Sequence, residues 1–191
     1  MNGETKQEMR RRLLAARRDM PARVRDAAGS AIRDALVDLP EFTMGGTVAL
    51  YYSVGTEPGT RKLLTALWKR GAYVLLPVLL PGGELDWAGY DGPDSLAPAG
   101  HGLMEPTGPR YGSDAVRRAA GVVCPALAVD RRGIRLGRGA GCYDRALAHT
   151  GPQTLTLAVI YDTELVDDVP AEPHDRRVGG VITPGGGAVR F

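Results

Sequence analysis

The sequence predicts an α/β fold: three layers, α/β/α, around a mostly parallel, Rossmann-like central sheet, with a β-hairpin extension. Three observations predict it. Short apolar runs alternate with helices of amphipathic period along the chain. The run at 73–80 meets Pro81, Gly82 and Gly83 and turns into a second run at 84–90, the expected antiparallel hairpin. A glycine-rich loop lies between a buried run and a helix, the context in which open α/β sheets bind ligands.

The elements follow in order. Residues 6–19 read as a helix, because Met9, Leu13, Ala16 and Met20 form one stripe. Pro21 suits the opening turn of a second helix, whose apolar face runs from Val24 through Ile32 and Leu36 to Leu39 before Pro40 ends it. Residues 47–53 are a buried strand. Thr56 is the expected cap of the next helix, with Pro58 inside its first turn, Leu63, Leu64, Leu67 and Trp68 on its core face and Gly71 at its end. Residues 91–112 have no period and read as a long loop, with Ser113 capping a short helix. Strands are expected at 121–127, 155–161 and 178–183, and a helix at 142–149. The tail from Pro184 reads as a flexible end or short extension.

Composition narrows the function. The 191 residues hold 26 glycines and 14 prolines, without the three-residue period of collagen. Lys+Arg 24 against Asp+Glu 22 leaves a formal charge of +2, so nucleic acid is not expected, and the basic first helix has no aromatic platform beside it. No leader-like or membrane-spanning apolar run is present, and Cys124 and Cys142 fit no zinc spacing, so a cytoplasmic protein without a membrane partner is expected. One domain over 1–191, working as a monomer, is the simplest reading.

The most informative segment is 130–147, DRRGIRLGRGAGCYDRAL. The alternating Gly137, Gly139 and Gly141 let the backbone curl and turn successive N–H groups inward, an anion nest suited to phosphate. Arg135 and Arg138 add guanidinium forks, and Asp144 could reach a metal held against phosphates. The motif is neither a Walker A loop nor a dinucleotide fingerprint.

Residues 135–147 resemble the signature of the 5-formyltetrahydrofolate cyclo-ligase (methenyltetrahydrofolate synthetase) family, R-L-G-x-G-x-G-[YF]-Y-D-x-x-L. Arg135, Leu136, Gly137, Gly139, Gly141, Tyr143, Asp144 and Leu147 match it, and Cys142 replaces an aromatic residue. The resemblance extends over nearly the whole chain. Lys6 and Arg10 stand at the spacing of the family's opening K-x-x-x-R, Asp130 to Gly133 resembles its D-x-x-G turn, and EPHDRR carries its H-D pair. Gly179, Gly180 and Pro184 depart from the family's pattern.

The resemblance implies ATP- and Mg²⁺-dependent cyclisation of a reduced folate, 5-formyltetrahydrofolate, possibly polyglutamylated. It implies ATP contacts from Lys6, Arg10, Arg135, Gly137, Arg138, Gly139, Ala140, Gly141 and Tyr143. Substrate contacts would come from Tyr52, Glu57, His101, Arg138 and Cys142, with Glu57 at the pterin end. Asp144 and Asp175 would hold Mg²⁺, and Arg135, Arg138 and Tyr143 would serve catalysis. On this reading Arg135→Ala loses turnover far more than stability. Two alternatives stay open: an ATP-dependent ligase with another substrate, and a non-catalytic binder of nucleotides or phosphorylated metabolites.

Overall fold

The computed structural model describes residues 4–43 and 45–191. Thr5 opens helix α1 (Lys6–Asp19) with a reciprocal capping box to Glu8, a device that stabilises a helix start by about 1 kcal/mol. The buried residues of α1 are Met9, Leu13 and Arg17, at i, i+4 and i+8, so the stripe predicted to pass through Ala16 ends on an arginine. Helix α2 spans Ala22–Leu36, after which Pro40 starts a 3-10 turn.

The central sheet has seven strands: β1 (Thr47–Ala49), β2 (Tyr73–Leu79), β3 (Leu85–Tyr90), β6 (Gly121–Pro125), β9 (Leu155–Val159), β11 (Gly180–Thr183) and β12 (Gly187–Arg190). The other strands among the described residues are β4 (Leu96–Pro98), β5 (Met104–Pro106), β7 (Ala128–Asp130), β8 (Arg135–Leu136) and β10 (Leu165–Val166). The sheet order is β12-β11-β9-β6-β1-β2-β3. The five inner strands are parallel, and an antiparallel partner closes each edge: β3 against β2, and β12 against β11. The tail thus pairs as the second strand of a hairpin. There Asp162 Oδ1 accepts the N–H groups of Gly185 and Gly186, which fixes the turn.

Alternating residues feed the two faces, as the two-residue period of a strand demands. Val48, Val74, Val123, Leu157 and Ile182 pack under α2 and helix α3 (Arg61–Lys69). Ala49, Leu75, Val122, Ala158 and Val181 face the other way, toward helix α4 (Cys142–Ala148) and the 3-10 turn Ala115–Arg118. These are the three layers expected. A smaller sheet, β10-β7-β8, packs against Met9 and Leu13 of α1 through Leu127, Ala128, Ile134 and Leu136.

Three local expectations are revised. The strand predicted at 47–53 is regular only to Ala49, because residues 51–60 form a cross-tied loop: Thr60 Oγ1 donates to the carbonyl of Tyr51 and accepts the N–H of Ser53. Helix α3 therefore follows Thr60 rather than Thr56. Residues 91–112 are not aperiodic; β4 and β5 pair antiparallel there, with His101 at the tip in the left-handed region at φ 60°.

In the order of the parallel strands β2-β1-β6-β9-β11, the chain leaves β1 in one direction to β2 and returns on its other side to β6. Such a reversal opens a crevice at the carboxyl ends of the flanking strands. The loops after β1 and β6 lie at that crevice.

Candidate active site

A cavity of about 430 Å³ occupies this crevice, and every residue expected to meet ATP, substrate or metal lines it. The size is that of an ordinary small-molecule site.

The phosphate-binding candidate is built from the glycine loop. Gly139 and Gly141 have φ 112° and 67°, conformations open to glycine, and Gly141 leads directly into α4. Among the described residues, the N–H groups of Gly139, Ala140 and Gly141 have no protein acceptor. Helix α1 reaches over this loop: Arg10 Nε donates to the carbonyl of Gly137 at 2.8 Å. Lys6 Nζ lies 2.7 Å from both Glu172 Oε2 and Asp175 Oδ2.

Arg135 and Arg138 differ sharply. Arg138 is 55% exposed and its Nη2 lies 3.5 Å from Glu57 Oε1. Arg135 is 3% exposed; Nη2 donates to Asp144 Oδ1 at 3.1 Å and Nη1 to the carbonyl of Pro125 at 3.3 Å. Its Nε has no partner among the described residues, nor does the buried hydroxyl of Tyr143 beside it.

Glu57 is 10% exposed and comes from the loop after β1; its Oε2 accepts the N–H of Val54 at 2.9 Å. Burial raises its pKa above the ordinary glutamate value, against the Val54 bond and the nearby Arg138 and Arg17 charges. Burial likewise pushes the Tyr51 and Tyr143 hydroxyls well up, so both stay protonated donors. The ring of Tyr52 is covered by Arg61 at 4.5 Å. His101 reaches the cavity from the tip of the β4–β5 hairpin, and Cys142 from the first turn of α4.

The candidate metal ligands lie along one wall. Asp144 Oδ1 also accepts the N–H of Arg176, at 3.0 Å. Asp175 Oδ2 accepts the N–H of Glu172 at 2.7 Å. Burial alone would raise the Asp175 pKa, but Lys6 and that backbone bond hold it below the ordinary aspartate range. Ligand atoms of Glu172, His174 and Asp175 lie within 4.8 Å of one another. Carboxylates beside a phosphate nest are the hard-oxygen donors that Mg²⁺ takes. The donor chemistry therefore fits that ion.

Sequence reasoning missed Arg17, Tyr51 and Glu172, which also line the cavity. Glu172 stands three residues before Asp175 in a segment already singled out. Arg17 was concealed among six other arginines of the first 25 residues.

Known proteins resemble the chain in both sequence and fold. The profile of the 5-formyltetrahydrofolate cyclo-ligase family matches residues 2–184. A 5-formyltetrahydrofolate cyclo-ligase of Mycolicibacterium smegmatis is 43% identical over 197 residues, covering 99% of this chain and 98% of that protein. One from Escherichia coli is 30% identical over 171 residues, 88% of this chain and 94% of the other. The structure of 5,10-methenyltetrahydrofolate synthetase from Aquifex aeolicus superposes with a TM-score of 0.83 at 27% identity, over 97% of this chain and 92% of that one. No helix among the described residues is long and apolar enough to cross a membrane. With its fold, its cleft and its signature loop accounted for together, the chain is an enzyme belonging to the 5-formyltetrahydrofolate cyclo-ligase family.

Proposed function

We propose that the protein closes 5-formyltetrahydrofolate to 5,10-methenyltetrahydrofolate at the expense of Mg·ATP, releasing ADP and phosphate. The observation that carries this reading is the Arg138–Glu57 pair. A buried carboxylate, matched to the N–H edge of a pterin, lies 3.5 Å from a guanidinium of the phosphate loop. A folate held by Glu57 therefore has its reacting end beside the nucleotide.

The chemical obstacle is the formamide oxygen, a poor leaving group. In the proposed reaction that oxygen attacks the γ-phosphorus and the bond to ADP breaks. N10 then adds to the activated formyl carbon, the C–O bond breaks with loss of phosphate, and N10 gives up its proton. No protein nucleophile enters, so positioning and charge stabilisation dominate. The N–H groups of Gly139, Ala140 and Gly141 cradle phosphate oxygens. Lys6, Arg10 and Arg138 neutralise charge on the transferred group, and Tyr143 offers its hydroxyl to the ligand. Arg135 contributes from behind, by holding Asp144. Asp144 and Asp175 would hold Mg²⁺, which when bound offsets phosphate charge. On this reading the protein works as a cytoplasmic, single-domain monomer.

The test is to incubate the protein with 5-formyltetrahydrofolate and Mg·ATP and follow the methenyl chromophore. Absence of turnover together with absence of ATP binding overturns the proposal.

A further inference from the structure

Arg17 is 1% exposed, yet it is an arginine in a helix whose other arginines face outward or into the cleft. Its Nε and Nη2 form a two-bond fork with Glu164, at 2.7 and 2.8 Å, and Nη2 also donates to the carbonyl of Ala126 at 2.6 Å. The ring of Tyr161 covers the guanidinium at 5.5 Å. Three bonds on a rigid planar group fix both the position of α1 and its rotation about its axis.

The rotation is what the cleft requires. Arg10 and Arg17 are seven residues apart, two turns on one face of α1, and Lys6 lies one turn further back. Lys6 is about 16 Å along the axis from Arg17. A small rotation at Arg17 swings both phosphate-facing cations. The same carboxylate extends the tie to the opposite side of the cleft. Glu164 Oε2 accepts the N–H of Tyr161 at 2.8 Å, and Tyr161 Oη donates to the carbonyl of Thr56 at 3.2 Å, next to Glu57.

We infer that Arg17 is a positioning residue: through Glu164 and the Ala126 carbonyl it sets the face that α1 presents to the nucleotide and steadies the loop carrying Glu57. The inference rests on the proposed reaction, in which Lys6 and Arg10 meet phosphate.

Two variants test it. Arg17→Met combined with Glu164→Leu removes both charges, so no lone buried ion is left and folding is kept. Arg17→Lys keeps the charge and loses the fork. For each, melting, KM for Mg·ATP, KM for the folate, kcat and calorimetric ATP affinity are compared with the wild type. The expected result is a folded protein in which ATP affinity falls and KM for Mg·ATP rises about tenfold, below the hundredfold or so that a full 1 Å misplacement can cost. A purely structural role would shift melting alone. A folded variant with wild-type ATP affinity and KM overturns the inference, and so does loss of folding in both variants. An inactive wild-type protein overturns the proposed reaction instead, while ATP affinity in the variants still reads the position of α1.

Discussion

Arg135 and Asp144 are joined inside the wall of the cleft: the guanidinium Nη2 is 3.1 Å from the carboxylate Oδ1, with the two side chains 3% and 16% exposed. The bond runs from β8 to the first turn of α4, across the glycine loop. It holds a candidate metal ligand beside the candidate phosphate-binding loop.

The first prediction follows from that bond. Removing one partner of a buried pair leaves the other charge uncompensated, at a cost of about 3 kcal/mol. Arg135→Ala is therefore expected to lose stability by about that amount as well as turnover, where the sequence predicts a loss of turnover far greater than that of stability. Denaturant unfolding beside steady-state kinetics checks it. Wild-type stability with no turnover would make Arg135 purely a ligand contact.

Glu57 gives a prediction about pH. Its pKa is raised by burial above 4.5, so the folded state binds that proton more readily than the unfolded chain. Its contribution to stability is fully present below 4.5 and is lost as pH rises through the raised folded value. Glu57→Gln removes this loss, so the variant is expected to be at least as stable as the wild type at neutral pH. Its folate KM should rise about tenfold, the scale of one hydrogen bond to a charged group. A lower stability with unchanged KM would contradict the role.

The clamp at the other end of α1 has the opposite acid behaviour. Lys6 holds Glu172 below its ordinary value of 4.5; at Asp175 burial pushes upward, and Lys6 together with the Glu172 N–H and His174 holds the group below 3.8. The two carboxylates outweigh burial in raising Lys6 above 10.5. The stabilisation from the carboxylates is present above those ordinary values and is lost as pH falls through their depressed ones. The part from Lys6 is lost as pH rises through its raised value. Lys6→Met is expected to flatten the acid limb of a stability–pH curve and to raise KM for Mg·ATP about tenfold. An unchanged acid limb would show that the clamp contributes nothing.

How legible all this was depends on the physics of each element. The long helix α1 and the apolar parallel strands carry their burial in their own residues, so the helical period finds the one and the continuous apolar runs find the others. The pairs β4–β5 and β10–β7 are two or three residues long and take their stability from backbone bonds to distant partners, such as Leu165 beside Val129. No period can be read in so short a segment. The site was legible where backbone chemistry demands glycine, and illegible at Arg17, where burial comes from Glu164, 147 residues away.

Gly133 tests one such demand. It closes the turn after β7 at φ 80°, where its N–H donates to the Asp130 carbonyl and its carbonyl accepts the Val178 N–H. A Cβ there would collide with the Val178 carbonyl oxygen, a backbone atom that cannot swing aside. Gly133→Ala is expected to destabilise the fold by about 3 kcal/mol, combining clash and strain. A melting temperature unchanged from the wild type would refute it.

Cys142 lines the cleft, half-buried, with its sulfur 3.9 Å from the carbonyl of Ala140. Cys124 is fully buried, and burial pushes its thiol up to about 11, so it stays protonated and shielded. A small maleimide is therefore expected to add one equivalent per chain, at Cys142, and to abolish turnover by filling the cleft. Saturating Mg·ATP or folate should slow the addition. Cys142→Ala should resist the reagent, keep kcat within about twofold because the proposed reaction uses no protein nucleophile, and shift the folate KM instead. Full turnover after labelling would place the thiol outside the working site. A kcat collapse in the alanine variant would require the sulfur itself to take part in the chemistry.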